Sequence, residues 1–129
     1  MLKSGIINPG LLDLIARIRH TNTLVICDWA FPFWPELETV DISLTQGIPK
    51  VLDVFNLIRP NFEIGEVWQA KEFLEHNAPP TLDAYAAAFE GLKVTHEPHA
   101  DFKRRVPQAI GVIRTGDATM YGNLILESA

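Results

Sequence analysis

Apolar and polar positions along the chain keep two rhythms in alternation. Leu11, Leu12, Leu14, Ile15 and Ile18 recur at helical spacing, with Asn8 placed to cap and Pro9 at the first position, which predicts a helix to about Arg19. Thr23 to Asp28 is β-branched and nearly all apolar, the mark of a strand covered on both faces. Val40 to Leu44 predicts a second short strand and Thr45-Gln46-Gly47 a turn. Pro49 then opens a helix through Val51, Leu52, Val54, Phe55 and Ile58. Phe62 to Trp68 alternates except at Gly65, so a strand with a bulge is expected. After Pro79-Pro80, Thr81 to about Leu92 reads as an Ala-rich helix. Val94 to Glu97 is a strand, Pro98 opens a helix over His99 to about Val106, and Ala109 to Thr115 and Asn123 to Glu127 close the chain as strands.

Strand and helix in alternation predict α/β architecture. The expectation is one domain over residues 1–129, a three-layer α/β/α sandwich with a mostly parallel sheet and a Rossmann-like outline. A hydrophobic fraction of 47% is enough for one core of that kind. No Gly-x-Gly-x-x-Gly follows the first strand and no Walker-type loop is present, which sets nucleotide binding aside. The net charge of −5, from 16 acids and 11 bases, argues against a nucleic-acid partner, and Lys103-Arg104-Arg105 reads as a solvated helix face. The one cysteine, Cys27, lies inside an apolar run, so a buried thiol in a reducing compartment is expected. With no leader-like segment and no apolar run near the ~18 residues that span a bilayer, the expected location is cytoplasmic, away from membranes.

Several chemistries can be weighed against the residues. His96 and His99 flank Glu97, but a helix opens between them and no Cys or second His pair supports a metal site, so none is expected. Cys27 has no neighbouring base or helix N-terminus to lower its pKa, so it is a poor nucleophile. The polar groups that remain at element ends are His20, Asp28, His99, Tyr121 and Asn123. Ligand sites in α/β sheets lie beyond strand ends, where Asp28 and the 116–121 turn fall. Each residue also has a plainer reading: His20 as a partner of a helix end, Asp28 as a turn former, Tyr121 and Asn123 as strand caps.

Trp29, Phe31, Phe33 and Trp34, punctuated by Pro32 and Pro35, form a stiff apolar loop. Burying each ring contributes roughly 1.5 to 3 kcal/mol, either in the core or at a subunit interface that also walls a pocket; the second is favoured here. At ~3.3 Å per extended residue, His20 and Asp28 lie on the order of 15 to 25 Å apart unless residues 20–22 fold back. A small ligand touches both only through such folding or across subunits, so an oligomer with interfacial sites is the economical expectation.

Four blocks in order, "RHTNTLVICDWAFP", "DISLTQGIPKVLDVF", "PHADFKRR" and "VIRTGDATMYGNLIL", resemble the D-ribose pyranase and L-fucose mutarotase family over nearly the whole chain. The resemblance implies a cofactor-free isomerase that interconverts ring or anomeric forms of a monosaccharide and feeds sugar kinases after uptake. It matches His20 to the catalytic proton donor, and Asp28, His99, Tyr121 and Asn123 to sugar-binding positions. It also implies ring-shaped homo-oligomers, often decamers of two pentamers, with sites between subunits. The chain departs from the family at Arg19-His20-Thr21-Asn22, where relatives commonly have Gly-His-Thr-Asp or Gly-His-Gly-Asp, and at Trp29-Ala30, where ribose-type members carry small residues. "DISLTQGIP" is ribose-type and "YGN" closer to fucose-type, which leaves the sugar open. A different class of function, a non-catalytic monosaccharide-binding subunit of an uptake system, is the alternative.

Overall fold

The apolar run Thr23–Cys27 (β1) sits in the middle of a six-stranded sheet, as its need for cover on both faces requires. The computed structural model describes residues 1–129. Around β1 it places β2 (Glu38–Asp41), β3 (Ile64–Ala70), β4 (Val94–Glu97), β5 (Gly111–Arg114) and β6 (Leu124–Ser128) in the order β2-β5-β1-β6-β3-β4. The β2–β5, β5–β1 and β3–β4 pairs are parallel, while β6 runs antiparallel to both β1 and β3. Five strands therefore point one way and β6 the other, so the sheet is mostly parallel as expected.

Helices cover both faces. On one side α1 (Pro9–Ala16), α2 (Val51–Ile58), α3 (Glu72–His76) and α4 (Pro79–Ala88) bring Leu14, Phe55, Phe73 and Tyr85 onto Leu24, Ile26 and Leu124 of the sheet. On the other, α5 (His99–Arg105) sets Phe102 over Val25, Cys27, Val112 and Ile125, together with Phe31 from the loop after β1. The two apolar clusters, one on each sheet face, make the three layers. Each fully buried ring such as Phe55 or Phe102 contributes roughly 1.5–3 kcal/mol. No helix is long and apolar enough to cross a membrane.

The starting signals held well. Asn8 caps α1 by accepting a hydrogen bond from the Leu11 N–H at 3.1 Å, and Pro9 takes the first helical position. The register of β3 shifts between Ile64 and Glu66, the expected bulge around Gly65. Several boundaries differ: β3 runs two residues later than Phe62 to Trp68, β5 is shorter at both ends than Ala109 to Thr115, α2 opens at Val51 and not Pro49, and α4 opens at Pro79 and not Thr81. β2 begins at Glu38 because its partner β5 spans only Gly111–Arg114, and the chain leaves the sheet once that partner ends. α1 stops at Ala16 and α4 at Ala88, shorter than their apolar periodicity predicted. The five-residue α3 was not foreseen at all, since a single buried Phe73 gives no helical period to read.

The aromatic loop after β1 divides. Phe31 is buried in the second cluster, 6.1 Å edge-on to Phe102, and Trp34 packs half-buried against it at 5.3 Å. Trp29 and Phe33 stay 53% and 66% exposed. The core reading of this loop thus describes Phe31 and Trp34, while Trp29 and Phe33 lie at the surface of the chain.

Candidate functional site

Because β6 alone is reversed, its first residue lies at the same sheet edge as the last residues of the other five strands. That edge collects Asp28 after β1, His99 after β4, Arg114 at the end of β5, and Tyr121 and Asn123 before β6. Ligand sites of open α/β sheets lie at this carboxyl edge.

Asp28, His99, Tyr121 and Asn123 line one cavity of about 240 Å3, and Ala30, Phe31, Pro32 and Met120 form its apolar wall. Such a volume is below the roughly 300–1,000 Å3 that takes drug-sized ligands, and suits a molecule of monosaccharide size. A larger polar cleft of about 630 Å3 adjoins it across Met120, between Lys50, His76 and Asp117. The smaller cavity has the chemistry that calls for a ligand. His99, one of its lining residues, has a buried Nε2 without a hydrogen-bond partner in the chain, a costly state for a polar nitrogen.

The side chains are fixed from behind. The half-buried Asp28 gives its backbone N–H to Asn123 Oδ1 at 2.7 Å, and its own Oδ1 accepts from the Ala30 N–H at 3.0 Å. Burial raises the Asp28 pKa, an effect opposed by the Asn123 side chain and the Phe31 and Ala30 N–H groups and reinforced by the charge of Asp117. His99 opens α5, and its backbone N–H donates to both carboxylate oxygens of Glu72, at 3.1 and 3.0 Å. Its ring packs 6.2 Å from Phe102 and edge-on to Tyr121 at 5.0 Å. Burial, then the charge of Lys103, lowers the His99 pKa, while Glu72 and Asp28 pull it back up. The imidazole is therefore held neutral at neutral pH, able to accept a proton or, in the right tautomer, to give one.

The turn carrying Tyr121 is equally constrained. A Cβ on Gly116 would fall 2.2 Å from the Thr45 carbonyl oxygen, so only glycine lets the 45–48 turn close over it. The buried Asp117 accepts from the Val51 N–H at 2.8 Å and the Thr119 N–H at 2.7 Å, and its carbonyl accepts from the Trp29 N–H at 3.2 Å. Tyr121 adopts a left-handed φ of 56°, uncommon outside glycine and held here by its surroundings. The His76 ring packs against it, tilted by 35° at 5.4 Å, and Asn77 Nδ2 donates to the Met120 carbonyl at 2.8 Å.

Four of the five sequence candidates therefore meet in one cavity. The fifth, His20, does not join them within the chain. It is exposed beyond the amino end of β1, where Thr21 N–H bonds the Ser128 carbonyl, and the five residues of β1 alone separate it from Asp28 by roughly 16 Å. Residues 20–22 do not fold back toward the cavity. His96, the other half of the metal pattern considered, instead faces Gln69 Oε1 at 3.2 Å. Burial pushes the Cys27 thiol up to about 12, with Asp28 and Asp41 adding to it against Arg114, in keeping with an inert thiol.

Glu72, His76, Arg114 and Asp117 support the site and were not singled out in the sequence. Glu72 and His76 lie on the unforeseen α3. Arg114 carried one available signal, a charge at the end of the apolar run Gly111-Val112-Ile113, and Asp117 stands three residues after it in the turn.

Comparison with known proteins gives consistent matches. The family model described as the RbsD / FucU transport protein family matches residues 1–129. A D-ribose pyranase of Geobacillus kaustophilus is 40% identical over 128 residues, covering 99% of this chain and 93% of the relative. The structure of Bacillus subtilis RbsD complexed with D-ribose superposes with a TM-score of 0.91 at 29% identity, covering 100% of this chain and 98% of the other. The fucose mutarotase of Streptococcus pneumoniae in complex with L-fucose shares the fold, with a TM-score of 0.75 at 17% identity over 95% of this chain and 92% of the other.

Proposed function

The chain belongs to the RbsD / FucU transport protein family, and on that premise we propose that it is an isomerase interconverting ring and anomeric forms of a monosaccharide. The observation that carries this is the meeting of Asp28, His99, Tyr121 and Asn123 around one small cavity at the carboxyl edge of the sheet. Ring opening of a hemiacetal delivers one proton to the ring oxygen and removes one from the anomeric hydroxyl; closure on either face, or through another hydroxyl, reverses both. The groups in the cavity suit this exchange. Asp28 takes hydroxyl protons in hydrogen bonds, Tyr121 and Asn123 hold neighbouring hydroxyls and the open-chain carbonyl, and His99 offers a neutral imidazole nitrogen.

In this reading His20 is the proton donor, and its place at the far end of β1 means that a neighbouring copy supplies it. The protein then works as a homo-oligomer with sites at subunit interfaces, a ring such as a decamer of two pentamers. Exposed Trp29 and Phe33 beside the cavity supply apolar surface for such contacts. Curated relatives named D-ribose pyranase at 33–40% identity favour D-ribose as substrate. The reaction belongs after uptake, in the cytoplasm, where buried Cys27 stays a thiol.

Saturation-transfer NMR on ribose, fucose and other monosaccharides tests the proposal: exchange between ring forms or anomers accelerates for at least one sugar, and unchanged rates across the panel overturn it. The exposed position of His20 favours one competing reading, a subunit that binds a monosaccharide without turning it over. Saturable sugar binding with no acceleration of exchange would select it.

A further inference from the structure

Arg114 is 9% exposed at the end of β5, opposite Cys27 of β1 in the sheet register. It takes part in none of the ion pairs of the protein. Its side chain bonds only main-chain carbonyls. Nη1 donates to the oxygens of Asp28 at 3.3 Å, Trp29 at 3.1 Å and Phe31 at 2.6 Å, and Nη2 to that of Pro32 at 3.2 Å. A buried cation without a carboxylate is costly, and here these carbonyl dipoles meet the charge. Nη1 shares its two N–H groups among three oxygens and Nη2 reaches a fourth, a spread over two nitrogens that the single nitrogen of an ammonium does not offer.

The segment so held is one side of the cavity: Asp28 lies at its start, and Phe31 and Pro32 form its apolar wall. We propose that Arg114 is a positioning residue for the sugar site, its buried guanidinium fixing the path of residues 28–32 and through it the aim of the Asp28 carboxylate. The Arg114 side chain reaches the carbonyls from behind the wall and is absent from the cavity lining, so it acts through the loop and not on the sugar. This rests on the assignment of the cavity to a monosaccharide. A positioning role differs from a purely structural one in its effect on the folded enzyme: loss of Arg114 changes substrate affinity in molecules that remain folded.

The test compares Arg114→Met and Arg114→Lys with the wild-type oligomer, measuring KM and kcat by saturation-transfer NMR and amide hydrogen exchange by mass spectrometry. Arg114→Met is expected to raise KM roughly ten- to hundredfold with a smaller change in kcat, since weakening a hydrogen bond to a charged acceptor that holds the sugar in ground and transition state alike has effects of that order on KM. Arg114→Lys recovers part of the loss. Exchange accelerates at the amides of 29–31 while the interior of β1 and β5 stays protected. A folded Arg114→Met enzyme with KM within about twofold of wild type and an unchanged loop overturns the proposal. If Arg114→Met does not fold, Arg114→Lys decides in the same way, an unchanged KM and loop counting against it. If the wild-type protein fails to accelerate exchange of any sugar, the functional reading falls, and the hydrogen-exchange comparison alone upholds or rejects the loop-fixing role.

Discussion

The two ends of β1 are built in opposite manners. At its carboxyl end Asp28 is half-buried and tied to Asn123, with His99 and Tyr121 around a shared cavity and Asp117 fastening the turn behind. At its amino end His20 is exposed on a turn whose neighbour Thr21 takes a left-handed φ of 66°. One end has its partners within the chain and the other presents a titratable ring to whatever lies outside. A five-residue strand is too rigid and too long for one small ligand to bridge, so chemistry that uses both ends has to be completed between copies.

The largest effect follows from removing the outward end. His20→Ala should lower sugar exchange roughly 10²–10⁴-fold while sugar affinity, measured by titration, stays within a few-fold. Retained exchange removes His20 from its role and collapses the contrast. Asp28→Asn attacks the inward end and should weaken sugar binding about tenfold or more, through loss of a charged acceptor, with CD and oligomer size unchanged. Mixing the two impaired variants after dissociation and reassembly, assayed at sugar concentrations well below KM, sharpens the comparison. If a site takes its cavity from one chain and its His20 from the next, roughly a quarter of sites in an equal mixture are intact and activity returns in proportion. No recovery would place both ends in one subunit's site.

The smallest effect is on pH dependence. His99 is held below its ordinary pKa of 6.5, chiefly by burial, so the unfolded chain takes up the proton first as pH falls. Its contribution to stability is therefore present above about pH 6.5 and is lost as pH drops through that value toward the folded pKa. NMR titration should place the His99 midpoint below 6.5, with sugar binding weakening as the ring becomes charged; a midpoint at or above 6.5 contradicts burial as the cause.

Much of the frame was legible because its signals are local. Asn8-Pro9 starts a helix by capping geometry alone, and the unbroken apolar run of β1 leaves few places for it except the sheet centre. Strand length likewise revealed that His20 and Asp28 are separated. What was not legible depends on pairing. The start of β2 is decided by β5, and α3 is too short to carry a period. The cavity itself could be read only as a set of polar residues at element ends; the reversal of β6, which brings Asn123 to Asp28, is a fact of sheet order that no single segment contains. The aromatic loop was ambiguous for the same reason: Phe31 turns inward onto Phe102 while Phe33, two residues on, stays in solvent.

Arg114 grips the loop solely through carbonyl oxygens, which every amino acid has. Its hold is blind to the side chains at Trp29, Ala30 and Phe31. Substitution at Trp29 or Ala30 leaves those carbonyl bonds in place and redraws the boundary of the cavity, whereas Phe31 is held as well by its burial against Phe102. Ala30 lines the cavity and Trp29 stands exposed beside it, so these are positions where side chains can change at little structural risk.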